Sequence, residues 1–168
     1  MTDHVPRRAL GVDLGERRIG LAIQEGSLPP HGLPTMMRRD SATADAERLR
    51  TISVERRVTL LVVGLPLHSD GRLSQQAAGT LGWAAEVSAA LNLPVIFVDE
   101  RYSSQRAEAS LGRAPRGGGG GAPGPARRAA RRAAIDREAA RLILVDSLNP
   151  TLVIHPDTLV AQRAEAHG

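Results

Sequence analysis

An α/β fold, with a central sheet flanked by helices, is predicted by three features of this sequence. Two short apolar runs separated by a polar turn open the chain, Ala9 to Leu14 and Ile19 to Ile23. Two further runs, Val58 to Val63 and Pro94 to Val98, are rich in β-branched and apolar residues. They read as strands buried on both faces, as in a parallel sheet covered by helices. One helical segment lies between them, so the three pieces form a βαβ unit whose crossover is right-handed.

In chain order, the first two runs pair as neighbouring strands across Gly15 and the charged residues after it. Gly32 to Met37 predicts a third strand, weakened by Pro29, Pro30 and Pro34. Asp40 or Ser41 is placed to cap a helix running to about Arg57, with Ala46, Leu49 and Ile52 inward. After the strand at 58–63, Gly64-Leu65-Pro66 ends the run and His68 to Gly71 makes a turn. Ser74 to Leu91 reads as a helix with Ala77, Leu81, Ala84, Ser88 and Leu91 on one narrow face. The strand at 94–98 ends in Asp99-Glu100-Arg101, and Ser103 to Leu111 should form a short helix. Gly and Pro dominate from Gly112 to Pro125, a stretch expected to be a mobile tether. A long Ala/Arg/Leu helix is expected from about Ala126 to Leu148. The domain reading is a single unit over 1–150, followed by a short extension at 151–168.

The 168 residues suffice for one domain with a proper core. Aromatic residues make up only 2%, which leaves an aliphatic core and counts against single-strand binding on a platform of stacked rings. Cysteine is absent, ruling out disulfides and thiolate metal sites. All 22 basic residues counted as Lys+Arg are Arg, and the net charge is +4. Arg forms bidentate contacts with phosphate, so such a surface suits nucleic acid. Residues Met1 to Arg8 contain no apolar signal segment, and no apolar run reaches membrane-spanning length, so a cytoplasmic location is expected.

Three acids stand out as candidates for chemistry. Asp13 lies inside the first strand, where an acid needs a partner, although an Asp that caps its own turn is the bland alternative. Glu100 leaves the second parallel strand at the carboxyl edge of the sheet, where ligands bind in open α/β folds. Asp136 lies on the last helix, which can bring it alongside if it packs on that sheet. Converging carboxylates repel unless a cation lies between them, and Mg²⁺ or Mn²⁺ prefers such oxygen ligands. Spacing alone does not establish the trio, because the chain holds 18 acids.

Ahead of Asp136, Arg127 with Arg131 and Arg128 with Arg132 are like charges at i,i+4 near a helix N-terminus. Both placements are unfavourable for the helix itself, whereas facing phosphate would explain them; a solvated Arg face is the competing reading. The five His residues are scattered and read as exposed, and Tyr102 beside Glu100 is placed to stack on a base or to pack.

Four stretches in order carry a resemblance. They are Gly11-Val12-Asp13-Leu14-Gly15 with Arg18 to Ala22; Val63-Gly64-Leu65-Pro66-Leu67 with Asp70-Gly71; Val98-Asp99-Glu100-Arg101; and Ile135-Asp136 with Ala139-Ala140 and Leu142-Ile143-Leu144. Over Ala9 to about Leu148 the chain resembles the YqgF/RuvX family of Holliday-junction resolvases or ribosomal-RNA-precursor nucleases. The resemblance implies an RNase H-like fold with a five-stranded mixed sheet of order 3-2-1-4-5. It implies that Asp13, Glu100 and Asp136 are the catalytic, metal-binding acids, with Mg²⁺ or Mn²⁺ as cofactor. Arg101, Ser103, Ser104, Arg128, Arg131 and Arg132 are then the candidate nucleic-acid contacts. Ser103 and Ser104 stand where the family usually carries a Thr pair, and Arg132 where many members have a basic residue, often Lys.

The leading expectation is a metal-dependent endonuclease acting on branched DNA or on precursor 16S ribosomal RNA. A resolvase making two symmetric cuts would be expected to work as a homodimer. The alternative is a non-catalytic nucleic-acid-binding or ribosome-assembly factor on the same scaffold. A nucleotide-phosphate enzyme of the actin or sugar-kinase type is a third class. The absence of Lys, and hence of a Walker-type phosphate loop, and the short chain count against it.

Overall fold

The computed structural model describes residues 6–101, 103–112 and 121–159, with the side chains of Ser103 and Ser104 also outside the described set. Expectations for Tyr102, His4, His167, most of the Gly-rich stretch and the last residues of the chain therefore fall outside the described residues.

The chain opens as an antiparallel meander of β1 (Arg8–Leu14), β2 (Arg18–Glu25) and β3 (His31–Met37). The β1–β2 turn is closed by Gly15 N donating to Arg18 O at 2.9 Å. β3 tolerates Pro34 for two reasons. It is the edge strand, and its register with β2 shifts opposite the Ile19–Leu21 stretch, so no ladder bond is lost at the bulge.

Helix α1 (Ala42–Glu55) follows, with Ser41 as its cap accepting from Ala44 N. β4 (Leu60–Leu65), α2 (Gln75–Leu91) and β5 (Val95–Asp99) form the βαβ unit, with β4 parallel to both β1 and β5. Ser74 caps α2 by accepting from Ala77 N at 2.9 Å, and its Oγ donates to Pro66 O at 2.6 Å, tying the helix start to the end of β4. Helices α3 (Ser103–Leu111) and α4 (Pro125–Asp146) pack on each other. Among the described residues, no helix is long and apolar enough to cross a membrane.

The sheet order is β3-β2-β1-β4-β5-β6, six strands rather than the expected five. The sixth, β6 (Val153–Ile154), pairs antiparallel with β5 through Phe97 opposite Ile154. Two residues are too few to show an alternating pattern, and Pro150 and Pro156 hide the strand in sequence. Leu159, farther on, reaches the main core.

Strand alternation divides the interior into two unequal layers. Leu10, Val12, Leu21, Val63 and Phe97 point to one face, where Leu49 of α1 and Trp83, Ala84 and Val87 of α2 cover them. On α2, the buried residues are Ala77, Thr80, Trp83, Ala84 and Val87 rather than the stripe through Leu81, Ser88 and Leu91. So many of its residues are small or apolar that periodicity did not define a unique face. On the opposite face, Ala9, Ala22, Val62 and Val98 meet Ala140, Ile143 and Leu144 of α4. Small residues dominate this second layer, and α4 lies close against β1, β2 and β3.

Candidate active site

Asp13 occupies the α4 face of β1, in phase with Ala9 and opposite in phase to buried Leu10 and Val12. Two glycines create the space around it. In the antiparallel ladder Asp13 pairs with Gly20, and a Cβ on Gly20 would lie 2.2 Å from Asp136 O. A side chain there would push α4 outward and carry Asp136 away. On the other side, Val12 pairs with Val63, so the next residue of β4, Gly64, flanks Asp13. A Cβ on Gly64 would lie 2.2 Å from Glu100 Oε2, in the space the carboxylate now fills. Glu100 follows β5 directly, and its backbone N donates to Leu65 O at 3.1 Å, which holds it at the carboxyl edge of the sheet.

The three acids expected from the sequence are thereby brought to one place. Asp13 and Glu100 share a side-chain hydrogen bond, and Asp136 lies within electrostatic reach of Asp13. The Asp13 carboxyl titrates above its ordinary range. Loss of hydration is the first cause, the Asp136 charge adds to it, and the Glu100 hydrogen bond opposes it. A hydrogen bond between two carboxyl groups requires a proton on one of them, or a cation in its place. Among the described residues, no group of three or more His, Cys, Asp or Glu is already drawn in tightly enough to hold a metal ion. Asp136 is instead turned to Arg18, whose Nε donates to Asp136 Oδ2 at 2.7 Å.

The donor set nevertheless suits a hard divalent cation. It consists of oxygen ligands only, carried by three separate elements, with two carboxyls in hydrogen-bonding contact where a cation can stand in for a proton.

The candidate nucleic-acid contacts divide. Arg101 folds back onto Asp99, with Nη2 donating to Oδ2 at 2.6 Å and Nη1 donating to Ser69 O at 3.1 Å, so it braces the loop after β5. Arg128 donates to Pro123 O at 2.6 Å, and Arg131 donates to Gly112 O. Arg132 is exposed one turn before Asp136. The side chains of Ser103 and Ser104 are outside the described residues; their backbone begins α3. His31, His68 and His155 are exposed.

A family model described as RuvX, Holliday junction resolvase, matches residues 7–150. The chain belongs to this family. A relative from Synechococcus sp., named as a candidate pre-16S rRNA nuclease, is 43% identical over 81% of this chain and 85% of its own length. Another of the same name, from Myxococcus xanthus, is 36% identical over 89% of this chain and 95% of its own. Among solved structures, RuvC from T. thermophilus, in complex with a Holliday junction substrate, superposes with a TM-score of 0.51. That match covers 88% of this chain and 99% of the RuvC chain at 17% identity, which supports the shared fold. The RuvX match and the sheet order together agree with the resemblance carried by the four motif stretches.

In sequence, Gly64 reads as the end of a strand and Arg18 as part of the first turn, and neither they nor Gly20 stand out as site residues. A signal was present: glycines inside strands mark close approach of another element. Gly20 and Gly64 flank the acid-bearing strand on either side.

Proposed function

We propose that this protein is a divalent-metal-dependent endonuclease that hydrolyses phosphodiesters in structured nucleic acid, either branched DNA or precursor ribosomal RNA. The observation that carries this reading is the contact between the Asp13 and Glu100 carboxyls beside Asp136 at the carboxyl edge of the sheet. Such an arrangement is unfavourable without a cation and serves no packing purpose. Asp13, Glu100 and Asp136 would hold Mg²⁺ or Mn²⁺. When bound, the ion would polarise a phosphodiester oxygen and lower the pKa of an attacking water.

The protein's own groups set the geometry. Gly20 and Gly64 let two of the carboxylates close on Asp13, and the rigid β1, β5 and α4 backbones hold them there. Arg132, exposed on the same helix as Asp136, would take a flanking phosphate, with Arg131 beside it and Arg128 one turn earlier. The names of the relatives support a nuclease, and the RuvX match adds junction DNA to the substrates worth testing.

The test is cleavage of a four-way DNA junction and of precursor 16S rRNA, side by side, with Mg²⁺ or Mn²⁺. Asp13→Asn, Glu100→Gln and Asp136→Asn are each expected to lower the cleavage rate at least about a hundredfold while retaining nucleic-acid binding. Full activity in any of the three would remove that residue from the site. Replacing Arg131 and Arg132 with Ala should weaken binding and reduce its salt dependence. Unchanged affinity and salt slope would exclude both from phosphate contact.

A further inference from the structure

Arg18 opens β2, two residues before Gly20 and on the same face of the sheet, so its side chain rises beside the carboxylates. Its Nε donates to Asp136 Oδ2 at 2.7 Å across a sequence separation of 118 residues. The two side chains are partly exposed, 29% for Arg18 and 20% for Asp136, so the pair sits at the rim rather than in the core. Among the described residues, the terminal Nη1 and Nη2 of Arg18 donate to nothing. A purely structural Arg would be expected to use this fork, as Arg101 does on Asp99 and Ser69. Arg18 therefore presents a cation to a candidate metal ligand through one nitrogen and leaves a phosphate-shaped pair of donors at the mouth of the site.

We propose that Arg18 is a place-holding cation: it neutralises Asp136 until a divalent ion is taken up, and then turns its guanidinium fork onto a phosphate of the bound strand. This rests on the reading of Asp13, Glu100 and Asp136 as metal ligands. Two positive charges compete for Asp136, so Arg18 weakens ion uptake by the free protein. A phosphate that draws Arg18 away removes the competition. Cation and nucleic acid then favour each other's binding by the same factor, as linkage requires. The ligand class is the phosphodiester backbone, whether of DNA or RNA.

The test begins with Mn²⁺ binding to the full chain by titration calorimetry, without nucleic acid. Arg18→Ala and Arg18→Gln are expected to bind Mn²⁺ about tenfold more tightly than wild type, the size expected for deleting one positive charge near a divalent ion in a hydrated site. Arg18→Lys keeps the charge and should stay close to wild type. Circular-dichroism melting checks that each variant is folded, and Arg18→Gln, which can still hydrogen-bond Asp136, covers the case in which Arg18→Ala is not.

A second measurement uses a four-way DNA junction and a precursor-rRNA stem, both with nuclease-resistant backbones, titrated with and without Mn²⁺. Wild type should bind at least one of them more tightly with Mn²⁺, and the neutral variants should lose most of that gain. The substrate on which the gain occurs identifies the source of the phosphate. Mn²⁺ affinity in Arg18→Gln no tighter than wild type, or an undiminished gain in that variant, overturns the proposal while leaving the nuclease reading intact. Failure of wild type to bind Mn²⁺ at all overturns both.

Discussion

Asp13 and Asp45 are both acids drawn into the interior, on opposite faces of the same sheet, and their surroundings are reversed. Asp45, in the first turn of α1, is fully buried and surrounded by donors. Trp83 Nε1 donates to its Oδ2 at 2.9 Å, Arg39 N donates to its Oδ1 at 2.8 Å, and Arg38 Nε lies 3.8 Å from it. This carboxylate joins α1 to α2, and its place near a helix N-terminus adds favourable electrostatics. The Asp13 carboxyl is stripped of most of its water and meets Glu100 and the field of Asp136. A buried acid that has collected its donors is structural. One that faces other acids costs stability unless a proton or a cation joins them.

The largest effect is expected from removing the structural acid. Asp45→Ala leaves the Trp83 indole N–H and the Arg39 backbone N–H without their acceptor, and should cost about 3–5 kcal/mol of stability in denaturant melts. Cleavage per folded molecule should be unaffected, and a selective loss of activity would mean the two faces are not independent. Next in size is Gly64→Ala, whose methyl would collide with the Glu100 carboxyl and with Ile143 Cδ1. It should lower the cleavage rate about a hundredfold and cost about 1–3 kcal/mol. Wild-type rates would show that Glu100 need not occupy that space. Trp83→Phe removes one donor to Asp45 while keeping most of the ring, and should cost about 1–3 kcal/mol with no effect on cleavage.

The smallest effect is the most diagnostic, and it concerns pH. Burial raises the Asp13 carboxyl above its ordinary range, so the native state holds that proton more tightly than the unfolded chain. The stability this contributes is complete below the ordinary carboxylate pKa and is lost as pH rises through the raised native value. Asp13→Asn, permanently neutral, should therefore melt on the order of 2–4 °C higher than wild type in EDTA at about pH 8. The difference should shrink toward about pH 4, where wild type is protonated as well. An equal difference at both pH values would assign the effect to something other than the charge on Asp13.

Most of the frame is legible in the local pattern of residues. Alternation and β-branched runs placed β1, β2, β4 and β5, and the capping pair Asp40-Ser41 marked the start of α1, where the structure selects Ser41. The βαβ unit set the carboxyl edge at which Glu100 emerges. These are local signals, carried by residues a few positions apart. The motif stretches then singled out Asp13, Glu100 and Asp136 among 18 acids, which spacing could not do.

The remaining features depend on contacts between residues far apart in the chain and arise on folding. The two-residue β6 has no pattern of its own and exists through pairing with β5. The inward face of α2 was settled by Trp83 reaching Asp45, a contact between two helices. At the site, the Asp13–Glu100 contact is made possible by the absence of a side chain at Gly64, and the nearness of Asp136 by the same absence at Gly20. Arg18 read as part of a turn until α4 was laid across β2 and put Asp136 on its Nε. A sequence names the groups able to do the chemistry, but the direction each one points is set by what the folded chain packs against it.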